Sequence, residues 1–170
     1  LVLIAFLLFV AFTSYLFTWD QDQDKVFKDG YKLLYGSYTP VANLMGTFGA
    51  YLSHFFIYKG FGVASYLLCT FFFVLGINLF FGRRVFFISR NLRYIIIGLP
   101  LLSVTASVAF PNATFPWGGA VGDMCSHYLN NTIGRIGTIA LIAVCFFAYV
   151  IWRFNPSFKF TAKKLVKDTG

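Results

Sequence analysis

The chain has 170 residues, 58% of them hydrophobic, 21% aromatic and only 12% charged, against about 25% charged in an ordinary soluble domain. A globule of this size leaves too much surface outside to hide that much apolar area, and a disordered chain needs low hydrophobicity and high charge, so both are excluded and the solvent is lipid. Fourteen Lys+Arg against six Asp and no Glu give a net charge of +8, which on a membrane chain reads as topology rather than as nucleic-acid binding.

A transmembrane helix needs about 20 apolar residues. The first span covers 1–18 and opens LVLIAFLLFV without a Met, which reads as a fragment of something longer. It lacks the basic n-region and small-residue cleavage site of a signal peptide. The segment 19–59 opens with WDQDQDK, a polar stretch expected to be solvated. An amphipathic run follows, with Leu44, Phe48, Tyr51, Leu52 and Phe55 at helical spacing and Thr47 and His54 opposite. Asn43 is the expected N-cap, and a short helix lying at the membrane surface or dipping into it is predicted. The second span covers 60–81. The third, 94–110, holds Pro100, tolerable there because neighbouring helices can satisfy the freed carbonyl. A second short helix is predicted with Val121, Met124, Cys125 and Tyr128 as its apolar stripe and Asp123 and His127 on its polar face. The fourth span covers 136–152. Residues 1–155 thus form an all-α, four-helix transmembrane domain, and 156–170 begin a basic cytoplasmic linker.

The basic residues orient the spans. Arg83, Arg84, Arg90 and Arg93 lie between spans two and three, and Arg153, Lys159, Lys163, Lys164 and Lys167 follow span four, with Asp168 the only acid among them. The other side carries five bases and the remaining five acids. The nine-to-five split places the basic loop and both termini in the cytoplasm.

The two outer segments repeat. Gly46-Thr-Phe-Gly49-Ala-Tyr-Leu-Ser53-His54-Phe55 and Gly119-Ala-Val-Gly122-Asp-Met-Cys-Ser126-His127-Tyr128 both read G-x-x-G-x-x-x-S-H-aromatic, 73 residues apart. Each is followed by a pair of glycines, a span and a basic stretch. This is a tandem repeat of a two-helix hairpin in one orientation, unlike the inverted repeats common in transporters.

Little here carries chemistry. His54 and His127 could be metal or proton ligands, but no further ligand cluster accompanies them, so polar-face residues beside the headgroups are the favoured reading. No charge lies within the four spans, and Asn78, Ser103, Thr105 and Ser107 suit interhelical hydrogen bonds. Cys69, Cys125 and Cys145 form no CxxC pair. No P-loop, G-x-S-x-G or H-E-x-x-H motif is present. Gly46, Gly49, Gly119 and Gly122 are the structural and interaction candidates. Either turns with positive φ or close backbone approach would explain them, and close approach of the short helices to each other or to a neighbouring subunit is favoured.

Asn43-Leu-Met-Gly46-Thr-Phe-Gly49-Ala-Tyr-Leu52 with Gly60-Phe-Gly62, and Gly118-Gly119-Ala-Val-Gly122 with Ile136-Gly137-Thr-Ile-Ala-Leu141, resemble the glycine patterns of the N-terminal four-helix membrane domain of the FtsK/SpoIIIE DNA translocases. Met45 stands where that family often has Gly. The aromatic richness and the long first loop resemble versions from Bacteroidetes. The resemblance implies a membrane anchor and septal interaction module of a cell-division DNA translocase acting in chromosome partition, in the bacterial inner membrane. It implies a homo-oligomer, hexameric in that family, contacting membrane lipid and other cell-division membrane proteins. ATP, Mg and DNA would be bound only by a motor domain outside this chain, which itself would carry no catalytic, cofactor or metal site. Arg83, Arg84, Arg90, Arg93, Lys163 and Lys164 would form its cytoplasmic anchor. A small transporter or channel subunit is the alternative.

Overall fold

Apolar length at the N-terminus makes the first element a helix, but its buried stripe decides where it ends. The computed structural model describes residues 1–30, 32 and 40–154, the side chain of Asp29 excepted. In it α1 runs Val2–Asp29, eleven residues past the expected end of span one. Ala5, Leu8, Ala11, Phe12, Tyr15, Asp22 and Val26 are all buried, and they fall on one helical face. The stripe continues through WDQDQDK, so that stretch is not simply solvated: Asp20 faces out, whereas Asp22 has no exposed surface.

After the connection comes α2 (Gly46–Ser53). It passes without a gap into a π-helical turn, His54–Phe61, and a 3₁₀ turn, Gly62–Ser65, and then into α3 (Tyr66–Phe80). α4 covers Ile88–Ala109 with Pro100 inside it. α5 covers Gly119–Phe154, and Gly134 (φ 74°, ψ 165°) divides it into an outer helix and a span. Among the described residues there is no strand. Val2–Lys28, Gly46–Phe80, Ile88–Ala109 and Gly119–Phe154 are each long and apolar enough to cross a membrane, so the chain is a multi-pass membrane protein. Each of the last three spans starts earlier than its apolar run suggests. In two cases the short outer helix leads directly into the span behind it across a glycine break, at Gly60 and Gly62 and at Gly134.

The repeat is visible in the backbone. Positive φ occurs at Gly46 and Gly119 (64° and 65°), which open the short helices, and at Gly62 and Gly134, which break them from the spans. α1 packs on α2 and α3, and α4 packs on α5, so each half is a hairpin with its short helix folded against the preceding span. The largest core cluster gathers Leu8, Phe12, Tyr15, Ile57, Cys69 and Phe115 from both halves.

The apolar stripes of the short helices turn largely away from the protein, the side that a helix lying on or dipping into the membrane presents to lipid. Leu44, Phe48 and Phe55 of the first, and Met124 and Tyr128 of the second, face outward. Gly49, Ala50, Ser53 and His54, and Gly119, Gly122 and Ser126, face inward. In water the large apolar residues would be the buried face. In lipid, apolar surface gains nothing by leaving the solvent, and small or hydrogen-bonding residues take the interfaces. The basic tail, including Lys163 and Lys164, lies outside the described residues.

Candidate functional site

The most constrained part of the molecule is where the two outer helices meet the spans. In the first half three side chains strap the loop before α2 onto α1. Asp22 accepts hydrogen bonds from the backbone N–H of Ala42 (2.7 Å) and Asn43 (2.9 Å) through its two oxygens. Ser14 Oγ accepts from Leu44 N–H at 2.9 Å. Asn43 Nδ2 donates to the Ala11 carbonyl at 3.0 Å. Asn43 is therefore not the N-cap. Its Oδ1 accepts from Met45 N–H at 2.9 Å in a tight turn, and Met45 precedes the helix without a side-chain cap. Where this turn is buried, at Asn43, its backbone donor must be met by protein, and Asp22 meets it. Lys25 closes the edge, donating to the Pro40 carbonyl at 2.6 Å and lying 3.9 Å from Asp22.

His54 sits behind this strap. Its Nδ1 and the Tyr15 hydroxyl are 2.9 Å apart, and its ring stacks on Tyr58 with centroids at 4.8 Å. Phe27 packs edge-on against it. The expected place beside the headgroups does not hold for this histidine, which is 1% exposed. His127, its counterpart in the repeat, is exposed. The two are not brought together, and among the described residues no group of three His, Cys, Asp or Glu gathers.

The second half uses the same parts differently. Here the hydroxyls come from α4: Ser103 donates to the Gly118 carbonyl at 2.6 Å, and Ser107 donates to Asp123 Oδ1 at 2.6 Å. Gly122 lies against both serines, and a Cβ on it would sit 2.5 Å from the Ser103 carbonyl oxygen. Gly49 instead lies against Asn43 and Met45 of its own turn. Close approach thus describes both glycines, but their partners are the preceding span and the local turn, not the other short helix.

The halves interlock at Gly62 and Gly119, through backbone alone. Val63 N–H donates to the Trp117 carbonyl at 2.9 Å. A Cβ on Gly62 would overlap the Trp117 carbonyl, and one on Gly119 would lie 2.5 Å from both the Gly60 oxygen and the Gly62 nitrogen. Trp19, Phe115, Trp117 and Phe110 pack in series over the joint. Gly62 and Gly118 were legible only as parts of glycine pairs, because one half's break meets the other half's opening and sequence spacing shows no such cross-contact.

At the opposite end Arg83, Arg84, Arg90 and Arg93 are exposed on and after the loop between α3 and α4. Asn78 fixes that loop, donating to the Phe86 carbonyl at 2.7 Å and accepting from its N–H at 2.9 Å. Arg153 approaches the same end from α5, with its guanidinium 4.5 Å from the Tyr94 ring centroid.

No curated protein and no solved structure matches the chain. A family model described as the 4TM region of DNA translocase FtsK/SpoIIIE matches residues 1–166. That span takes in all four helices, both glycine-opened outer helices and the arginine-rich loop. The chain belongs to this family, as the membrane-embedded four-helix region of an FtsK/SpoIIIE DNA translocase.

Proposed function

We propose that this chain anchors a DNA-translocating ATPase in the bacterial inner membrane and recruits it to the division septum for chromosome partition. The observation that carries the reading is the family match across the whole four-helix region. ATP, Mg and DNA belong to a motor outside this chain, and the membrane region holds that motor in place. Assembly into a homo-oligomer draws support from α5. Only 11% of its most apolar window is covered within one chain, against 28–33% in the other three spans. Ile136, Val144, Phe147 and Ile151 all face outward there.

The transporter alternative would draw on Asp22, since an ionisable group at membrane depth often marks a transport path. That carboxylate is instead occupied by two backbone N–H groups, which is a structural use.

Septal recruitment is the test. A fluorescent fusion of residues 1–170 without any motor is expected to concentrate at the septum of dividing cells. Uniform membrane fluorescence from a well-expressed fusion would refute recruitment.

The orientation has its own check. We infer from the nine-to-five split of Lys and Arg that the basic loop and both termini are cytoplasmic. In a background freed of the native cysteines, Asp20→Cys is expected to react with an impermeant maleimide added outside the cell, and Ser89→Cys is not. Both positions are exposed, so access depends on sidedness. The reverse pattern would invert the topology.

A further inference from the structure

A groove of about 640 Å³ opens between α1, α3 and α4 at the arginine-rich end. Its walls are apolar, with Phe6 and Phe9 from α1 and Phe73 and Val74 from α3. These residues lie in helices able to span a membrane, so the groove runs at hydrocarbon depth. Its mouth changes character, being lined by Arg90, Asn91, Tyr94 and Arg153. Neither arginine lies within 4.0 Å of a carboxylate among the described residues, where the one ion pair is Lys25–Asp22. Each guanidinium lies over an aromatic ring instead, Arg90 on Phe87 at 5.1 Å and Arg153 on Tyr94 at 4.5 Å. Stacking holds the guanidinium plane and leaves its N–H edge free to donate to an oxyanion.

We propose that this groove binds an anionic phospholipid, with an acyl chain along the aromatic wall and the phosphate between Arg90 and Arg153. The charge at the mouth fits a phosphodiester. Phosphatidylglycerol supplies that phosphodiester with a net negative charge, which a zwitterionic lipid does not. The apolar walls need a hydrocarbon occupant, which free phosphate does not supply. Basic pockets between spans beside a leaflet surface select anionic headgroups on the same grounds. The site lies at the end of the bundle away from the interlocked helices and is independent of septal recruitment.

Lipid retention by the full chain in mild detergent, read by native mass spectrometry, tests this. Phosphatidylglycerol is compared with phosphatidylcholine of the same acyl chains, with and without excess inorganic phosphate. Wild type is expected to retain phosphatidylglycerol about tenfold better, and excess phosphate should not displace it. Arg90→Gln with Arg153→Gln should bring the two lipids level. Arg135→Gln, an exposed position outside the groove, should leave the preference intact. Thr70→Trp fills the exposed Thr70 corner of the groove with both arginines in place and should lower retention of phosphatidylglycerol. Equal retention of both lipids by wild type, a preference surviving the double arginine variant, or displacement by phosphate alone would each overturn the proposal. Should the double variant lose its helical structure, Thr70→Trp decides alone, and unchanged retention there overturns it.

Discussion

Gly119→Ala and Gly62→Ala are each expected to destabilise the folded membrane region by about 2–6 kcal/mol, combining backbone strain of about 1–3 with overpacking of about 1–3. Both residues have positive φ, at 65° and 61°. Gly62 also has ψ −140°, a region that residues with a Cβ rarely enter. The steric part arises because the atoms in the way are backbone: the Trp117 carbonyl over Gly62, and the Ile57 and Gly60 carbonyls over Gly119. Backbone cannot swing aside as a flexible side chain can. Gly82→Ala supplies the contrast. It has the same φ of 61° but open space around it, so about 1–2 kcal/mol of strain is all it should cost. Reversible unfolding in mixed micelles, followed by loss of helicity, gives the three values. If Gly62→Ala and Gly119→Ala fall no further than Gly82→Ala, the interlock contributes nothing beyond local strain.

Asp22→Ala should cost about 1–4 kcal/mol, since it strands the buried Asn43 N–H at about 1–3 kcal/mol and loses the part-buried Ala42 hydrogen bond at about 1 kcal/mol. The donors are those of Ala42 and Asn43, at the point where the chain turns into α2. Asp22→Asn keeps one acceptor oxygen and should lose roughly half as much. Asp20→Ala, two residues away but exposed, should stay within about 0.5 kcal/mol of wild type. The effect is also local. With the strap gone α2 should lift from α1, and a cysteine placed by Ser53→Cys, at a fully buried position, should gain reactivity toward a soluble maleimide. Unchanged reactivity together with near-wild-type stability would mean that α2 is seated by packing of Val26 on Ala50 and not by the carboxylate.

Both predictions concern residues whose importance comes from distant partners. Asp22 reads as one acid among three in WDQDQDK. A local signal for it exists, since it continues the helical stripe of Leu8, Phe12 and Tyr15 and stands four residues before buried Val26. Composition hides that signal, because hydropathy falls where the stripe continues. The repeat told more. Positions 46 and 119 align in sequence, and both have φ near 65° in the structure. The repeat also suggested equal roles for His54 and His127, and there it misled. Tyr15 and Phe27 of α1 enclose His54, whereas no hydrogen bond or aromatic contact to a preceding span is found for His127, which is left exposed.

The lipid solvent, the four apolar runs, the glycine-opened outer helices and the family were legible in the sequence alone. Each rests on composition, length or local pattern, and these need no knowledge of what packs against what. The tertiary structure decided which face of each outer helix is inside. The amphipathic pattern marked the large apolar residues that turn outward, and the structure shows that Gly49, Ser53, Gly122 and Ser126 take the interfaces with the rest of the protein. It also decided that Gly62 meets Trp117, that Asp22 meets Ala42 and Asn43, and that Arg90 and Arg153 share one groove. Those pairs are separated by 20 to 63 residues of chain. Only the folding of one hairpin against another, with every buried backbone donor needing a partner, brings them together.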